Sequence, residues 1–168
     1  WINLMTDSLP ALALGVEKAE PDIMNRPPRP AKESLLHGEW KNIIRGSIVG
    51  FLSSFILFAW LYKNNLPIET IRSIVLTMAV CYELLLVHTV RSKKPLYKIG
   101  FFSNRWMIGA TIIPFIIHLT ILYTPLAGYF GLAPLTASHW LYVAGFASIG
   151  ALVSEGIKYF PKRQSGLK

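Results

Sequence analysis

Four blocks of almost uninterrupted apolar sequence constrain this chain more than any other feature. They lie at residues 40–62, 69–90, 106–124 and 139–160, with stretches such as IVGFLSSFILFAWLY and MIGATIIPFIIHLTILY. A helix rises 1.5 Å per residue, so about 20 residues cross the ~30 Å hydrocarbon core of a bilayer. Backbone N–H and C=O groups in lipid must find partners within the segment, which leaves the helix as the state such blocks can adopt. Composition agrees: 52% of the 168 residues are hydrophobic and 15% are charged, less charge than the ~25% usual in soluble domains. The expectation is an all-α, polytopic transmembrane helical bundle of one half-helix plus four spanning helices.

The half-helix is residues 1–15, WINLMTDSLPALALG, apolar but too short to span. It reads as the second half of a spanning helix that begins upstream. Residues 16–39 are polar and hold four prolines between 21 and 30, which excludes a continuous helix. The RPPRP run could serve as a polyproline ligand; a stiff connector is the preferred reading. The division is therefore 1–15, a connecting loop at 16–39, a four-helix unit at 40–160 and a tail at 161–168.

Charge sets an expected orientation. Residues 16–45 carry six Lys/Arg, residues 91–105 five and residues 158–168 four, against Lys63 and Arg72 alone elsewhere. The positive-inside rule then assigns the 16–39 loop, the 91–105 loop and the C-terminus to the cytoplasm. Trp40, Trp60, Tyr62, Trp106, Tyr123, Trp140 and Tyr159 fall at block ends, as an interfacial aromatic belt requires. The Lys and Arg behind the net charge of +8 cluster in the connecting segments, so membrane lipids or a cytoplasmic domain are the expected partners of RSKKPLYKIGFFSNRW, and nucleic acid is not. The single cysteine, Cys81, rules out a disulfide framework within the chain and reads as a core residue. The sequence contains no glycine-rich phosphate loop and no triad pattern, so no nucleotide site can be built from it.

The residues able to carry chemistry are those that oppose the lipid environment. Asn3, Thr6 and Asp7 stand at i, i+3 and i+4, on one face of a helix. They offer an amide oxygen, a hydroxyl and a carboxylate. Pro10 has no N–H to donate to the Thr6 carbonyl, and Ser8 and Gly15 would tolerate local unwinding, a known way to turn backbone carbonyls toward a cation. The same three side chains would also suit a helix end facing water. Glu83 lies near the centre of its apolar block, where a charge must be paired, protonated or ion-bound. A protonated carboxyl bonded between helices is the alternative. All these donors are oxygens, which suits hard cations such as Ca²⁺, Mg²⁺ or Na⁺. Glu155 with Lys158 reads as a surface ion pair, His118 as a neutral imidazole bonded to a neighbouring helix, and His88 and His139 as interfacial. Pro114 is expected to kink its helix. Gly145, Ala147, Ser148, Gly150 and Ala151 suggest a small-residue packing face.

The run NLMTDSLPALALG, followed by EPDIMNRPPRP and later by RSKKPLYKIGFFSNRW, resembles P2-type cation-transporting ATPases, and among them calcium pumps of the sarcoplasmic/endoplasmic reticulum type. The resemblance covers essentially the whole chain. It implies that the five apolar segments correspond to transmembrane helices six to ten, with ligands for the transported ion on Asn3, Thr6, Asp7 and Glu83. It further implies Ca²⁺ as cargo, Mg²⁺ and ATP bound only by parent domains outside these residues, and coupling of the 16–39 loop to the phosphorylation domain. Upstream transmembrane helices would supply the remaining ligands. The short far-side loops resemble microbial members, which points to a microbial plasma membrane. A Na⁺ or H⁺ pump of the same superfamily and a non-transporting scaffold are the alternatives.

Overall fold

The computed structural model describes residues 2–19, 23–25, 28, 30 and 39–159; the tail expected at 161–168 and most of the proline-rich connector lie outside them. The described residues form helices and connecting turns, with no strand among them. Seven helices follow in chain order: α1 (Ile2–Gly15), α2 (Trp40–Lys63), α3 (Ile68–Val90), α4 (Leu96–Ile99), α5 (Arg105–Tyr123), α6 (Leu126–Tyr129) and α7 (Ala137–Tyr159). Helices α2, α3, α5 and α7 are each long and apolar enough to cross a membrane. They coincide with the four apolar blocks to within two residues at each end. The differences fall at polar or capping residues such as Ile68 after Pro67 and Ala137–Ser138, which helix geometry includes and hydropathy leaves out.

Helix α3 is the centre of the bundle. It packs most extensively on α7 and also touches α2, α5 and α1. Its side chains Ile71, Ile74, Met78 and Tyr82 enter the main core, with Leu57 and Leu61 from α2 and Val143 and Ala147 from α7. The outer face of α2 stays apolar and exposed through Ile44, Ile48, Phe51 and Phe55, the arrangement expected of a helix bordered by lipid.

The closest approach of α2, α3 and α7 depends on three glycines around one aromatic ring. A Cβ placed on Gly150 would overlap the Tyr82 ring, and one on Gly50 would lie 3.1 Å from Tyr82 Cε1. The Tyr82 hydroxyl donates to the Gly46 carbonyl at 2.7 Å. Of the small residues expected to form a face on α7, Ala147 and Gly150 are buried with Val143, while nothing lies near Gly145. The packing phase is thus 143, 147 and 150, at i, i+4 and i+7.

Several buried polar groups are paired between helices. Thr77 Oγ1 and His118 Nε2 are 2.9 Å apart, linking α3 to α5 as the sequence suggests for His118. His88 departs from its interfacial reading: it is 3% exposed, lies 3.3 Å from Thr111 Oγ1 and stacks on Phe101. Glu155 and Lys158 depart too. Their 2.6 Å ion pair is largely enclosed, Glu155 Oε2 accepts from the Leu96 amide at 2.7 Å, and Lys158 donates to the Thr89 and Lys94 carbonyls. The pair therefore fastens α7 to the loop that leaves α3. At the opposite end, Trp140 Nε1 donates to the Tyr123 hydroxyl at 2.7 Å, and that hydroxyl donates to the Leu135 carbonyl at 3.0 Å.

Asn104 anchors α1. Its Oδ1 caps α5 by accepting from the Met107 amide at 3.1 Å. Its Nδ2 donates to the Ala13 carbonyl at 3.0 Å and to Glu17 Oε2 at 2.7 Å. Replacing Asn104 with alanine removes a helix cap and leaves buried acceptors unpaired. We expect a loss of about 1–3 kcal/mol, read as faster hydrogen exchange across residues 5–17 in the full-length protein. Unchanged exchange there would show that α1 is held by other contacts.

Candidate cation site

Helix α1 turns one face to the bundle and another away from it. Thr6, Pro10 and Ala13 are buried at i, i+4 and i+7. Ala13 packs with Met107 and Ala110 of α5, joined by Leu9, Leu14 and Val87. This stripe fixes the rotation of α1, and Asn104 fixes its end. Pro10 is accommodated without a break: the helix runs continuously from Ile2 to Gly15, so the expected unwinding beside Asp7 is not present. Proline's φ is helical, and in a membrane helix the loss of one N–H donor can be absorbed by neighbouring elements.

That rotation brings Thr6 to Glu83. Thr6 is 4% exposed, and its hydroxyl donates to Glu83 Oε2 at 2.9 Å, across 77 positions of sequence. Glu83 projects between the buried Tyr82 and Leu84 on the side of α3 that carries Val87, and it retains exposure. Asp7 follows Thr6 directly and is exposed on α1. The Asn3 side chain lies outside the described residues. Among the described residues no three His, Cys, Asp or Glu side chains converge on one point. The arrangement is two carboxylates and a hydroxyl at the edge of the bundle, open on the side of α1 that the other helices do not cover. Two carboxylates and a hydroxyl, all oxygen donors, are of the kind that hard divalent cations take as ligands.

The family model described as cation transporting ATPase, C-terminus, matches residues 1–160. The chain belongs to this family. It is 34% identical to calcium-transporting ATPase 1 of Bacillus cereus, over 96% of this chain and 20% of the relative. It is 30% identical to the calcium-transporting ATPase of Bacillus subtilis, over 93% of this chain and 18% of the relative. With calcium-transporting ATPase 1 of Yarrowia lipolytica it shares 29% identity, over 98% of this chain and 18% of the relative. The chain thus spans about one fifth of the length of the curated relatives it matches. With four apolar helices of spanning length, this cation-transporting ATPase region is an integral membrane protein.

Two features outside the site escaped sequence reasoning. Asn104 carried a signal, since an asparagine directly before an apolar helix is a favoured N-cap, but nothing in the sequence ties its amide to Ala13 and Glu17. The enclosure of Glu155 and Lys158 follows from the packing of α7 on α3, and their i, i+3 spacing reads the same on a water-exposed helix.

Proposed function

We propose that this chain is the C-terminal membrane part of an ATP-driven calcium pump, and that Asn3, Thr6, Asp7 and Glu83 contribute ligands for the transported ion. The observation that carries the reading is the 2.9 Å contact between Thr6 and Glu83, which joins two separate membrane helices through oxygen donors, with Asp7 beside them. An ionisable side chain within a membrane helix is costly unless it serves an ion or a proton. The names of the relatives, calcium-transporting ATPases, support Ca²⁺ as the cargo. The ATP and Mg²⁺ that drive transport would be bound by parts of the parent protein outside these residues, and further cation ligands would come from helices packing on the open side of α1. In this reading the 16–39 loop couples the membrane part to the phosphorylation domain. That loop, the 91–105 loop and the C-terminus face the cytoplasm, and the protein resides in a microbial plasma membrane.

The chemistry of release follows from the donors. Protonating either carboxylate removes negative charge from the cation and supplies a proton to carry in return. Protons and calcium should therefore compete, with calcium affinity lower in more acidic buffer.

The test is ATP hydrolysis by the full-length protein with Ca²⁺, Na⁺, K⁺ or Mn²⁺ supplied in turn, for wild type and Glu83→Gln. Glutamine keeps the size and an acceptor for the Thr6 hydroxyl while removing the charge. We expect Ca²⁺ to be the activating ion and Glu83→Gln to raise the concentration needed for half-maximal rate by about 10–100-fold, at least what outer-shell changes cost at metal sites. Activation by Na⁺ with indifference to Ca²⁺ would contradict the calcium assignment. An unaltered Ca²⁺ response in Glu83→Gln would remove Glu83 from the site.

A further inference from the structure

A cavity of about 550 Å³ lies between α2, α3 and α7, on the side of α3 that carries Tyr82 and Leu86 rather than Glu83. Its walls divide by chemistry. Toward the end of the bundle stand Arg45, Arg91, Lys93 and Lys158, with Glu39 as the acidic residue among them; toward the middle stand Val49, Leu86 and Val153. Two of the four positive charges are already met, Lys158 by Glu155 at 2.6 Å and Lys93 by Glu39 at 3.7 Å. Among the described residues neither arginine has an acidic partner. Arg45 makes a long hydrogen bond to Asn42 Oδ1 at 3.4 Å. Arg91 donates from Nη2 to the Gly100 carbonyl and the Ser103 hydroxyl, and its Nε and Nη1 are shielded from solvent with no partner among the described residues. The planar fork of a guanidinium matches a phosphate, and Arg45 is the arginine of this wall whose fork is free to turn to one.

The cavity also meets the lipid-facing surface. A shallower groove of about 350 Å³ on the outer side of α2 shares Arg45 and Val49 with it and continues over Ile44 and Ile48, which are 54% and 52% exposed. A soluble phosphate would use the basic wall and leave the apolar wall wet. A phospholipid uses both, and anionic lipids are drawn to basic residues at the membrane boundary. We propose that this cavity binds one anionic phospholipid, its phosphodiester held by Arg45 with Arg91 adding positive charge to the same wall, and its acyl chains leaving past Val49 along the outer face of α2. The site is separate from Asp7 and Glu83 and stands whether or not these bind calcium.

The experiment is native mass spectrometry of the full-length protein in detergent, with phosphatidylglycerol or phosphatidylcholine of equal chain length added, for wild type, Arg45→Gln and Lys63→Gln. Among the described residues Arg45 is hydrogen-bonded only to Asn42, across a long bond, so its replacement is expected to leave the fold in place. We expect a retained phosphatidylglycerol adduct that exceeds the phosphatidylcholine adduct, falls at least about fivefold in Arg45→Gln, is unchanged in Lys63→Gln and resists excess inorganic phosphate. Four results would each overturn the proposal: equal retention of the two lipids, an unaffected adduct in Arg45→Gln, displacement by inorganic phosphate, or no lipid adduct because another part of the full-length protein fills the cavity.

Discussion

Replacing Asp7 with asparagine is expected to lower calcium-stimulated ATP hydrolysis by the full-length protein by about 100-fold or more. Asparagine preserves volume and one oxygen, so the change isolates the charge. Of the two carboxylates near Thr6, Glu83 is engaged by the Thr6 hydroxyl, while Asp7 points to the uncovered side of α1, where in our reading the remaining ligands approach. Losing Asp7 leaves a divalent cation with one formal negative charge. Replacement of mere outer-shell partners already costs roughly 10–100-fold at metal sites, so loss of a charged ligand should lie at or beyond the upper end. The exposed position of Asp7 argues against a folding defect as the source of that loss, and an unchanged melting temperature would separate the two. Retention of normal calcium stimulation in Asp7→Asn would remove the residue from the site.

The second large effect is structural. Gly150→Val should destabilise the bundle by about 1–3 kcal/mol or more, seen as a drop of several degrees in Tm of the purified protein. Even the first added carbon overlaps the Tyr82 ring, and the ring cannot retreat toward α2 because Gly50 is already in contact and the hydroxyl is fixed on the Gly46 carbonyl. Overpacking in a rigid slot forces a side chain off its rotamer or helices apart. Tyr82→Leu in the Gly150→Val background should recover part of the loss by vacating the slot. Two independent, additive losses would show that Tyr82 and Gly150 do not share it.

The contrast between these sites shows what a sequence of this kind discloses. The four spanning helices follow from block length alone, because lipid leaves the backbone no alternative. Asp7 and Glu83 stand out for the same reason: a carboxylate in an apolar block is an exception that hydropathy exposes. Rotation of one helix against another is a different matter. The glycines and alanines of α7 advertise close packing, but only contact with α3 selects Ala147 and Gly150 and leaves Gly145 facing open space. His88 and the Glu155–Lys158 pair sit near segment ends, where sequence suggests water, yet the return of the chain through Leu96 and Phe101 covers them. Pro10 illustrates the converse, a residue with a strong local tendency to break a helix that the packed stripe of Thr6 and Ala13 overrides.

The most direct measurement is equilibrium binding of radioactive calcium to the full-length protein without ATP, for wild type, Asp7→Asn, Glu83→Gln and the double variant. Saturable binding in wild type, weakened by each single change and by less than the product of the two effects in the double, is the predicted result, since both carboxylates would grip the same ion. Binding curves for the two single variants that superimpose on wild type would contradict the account.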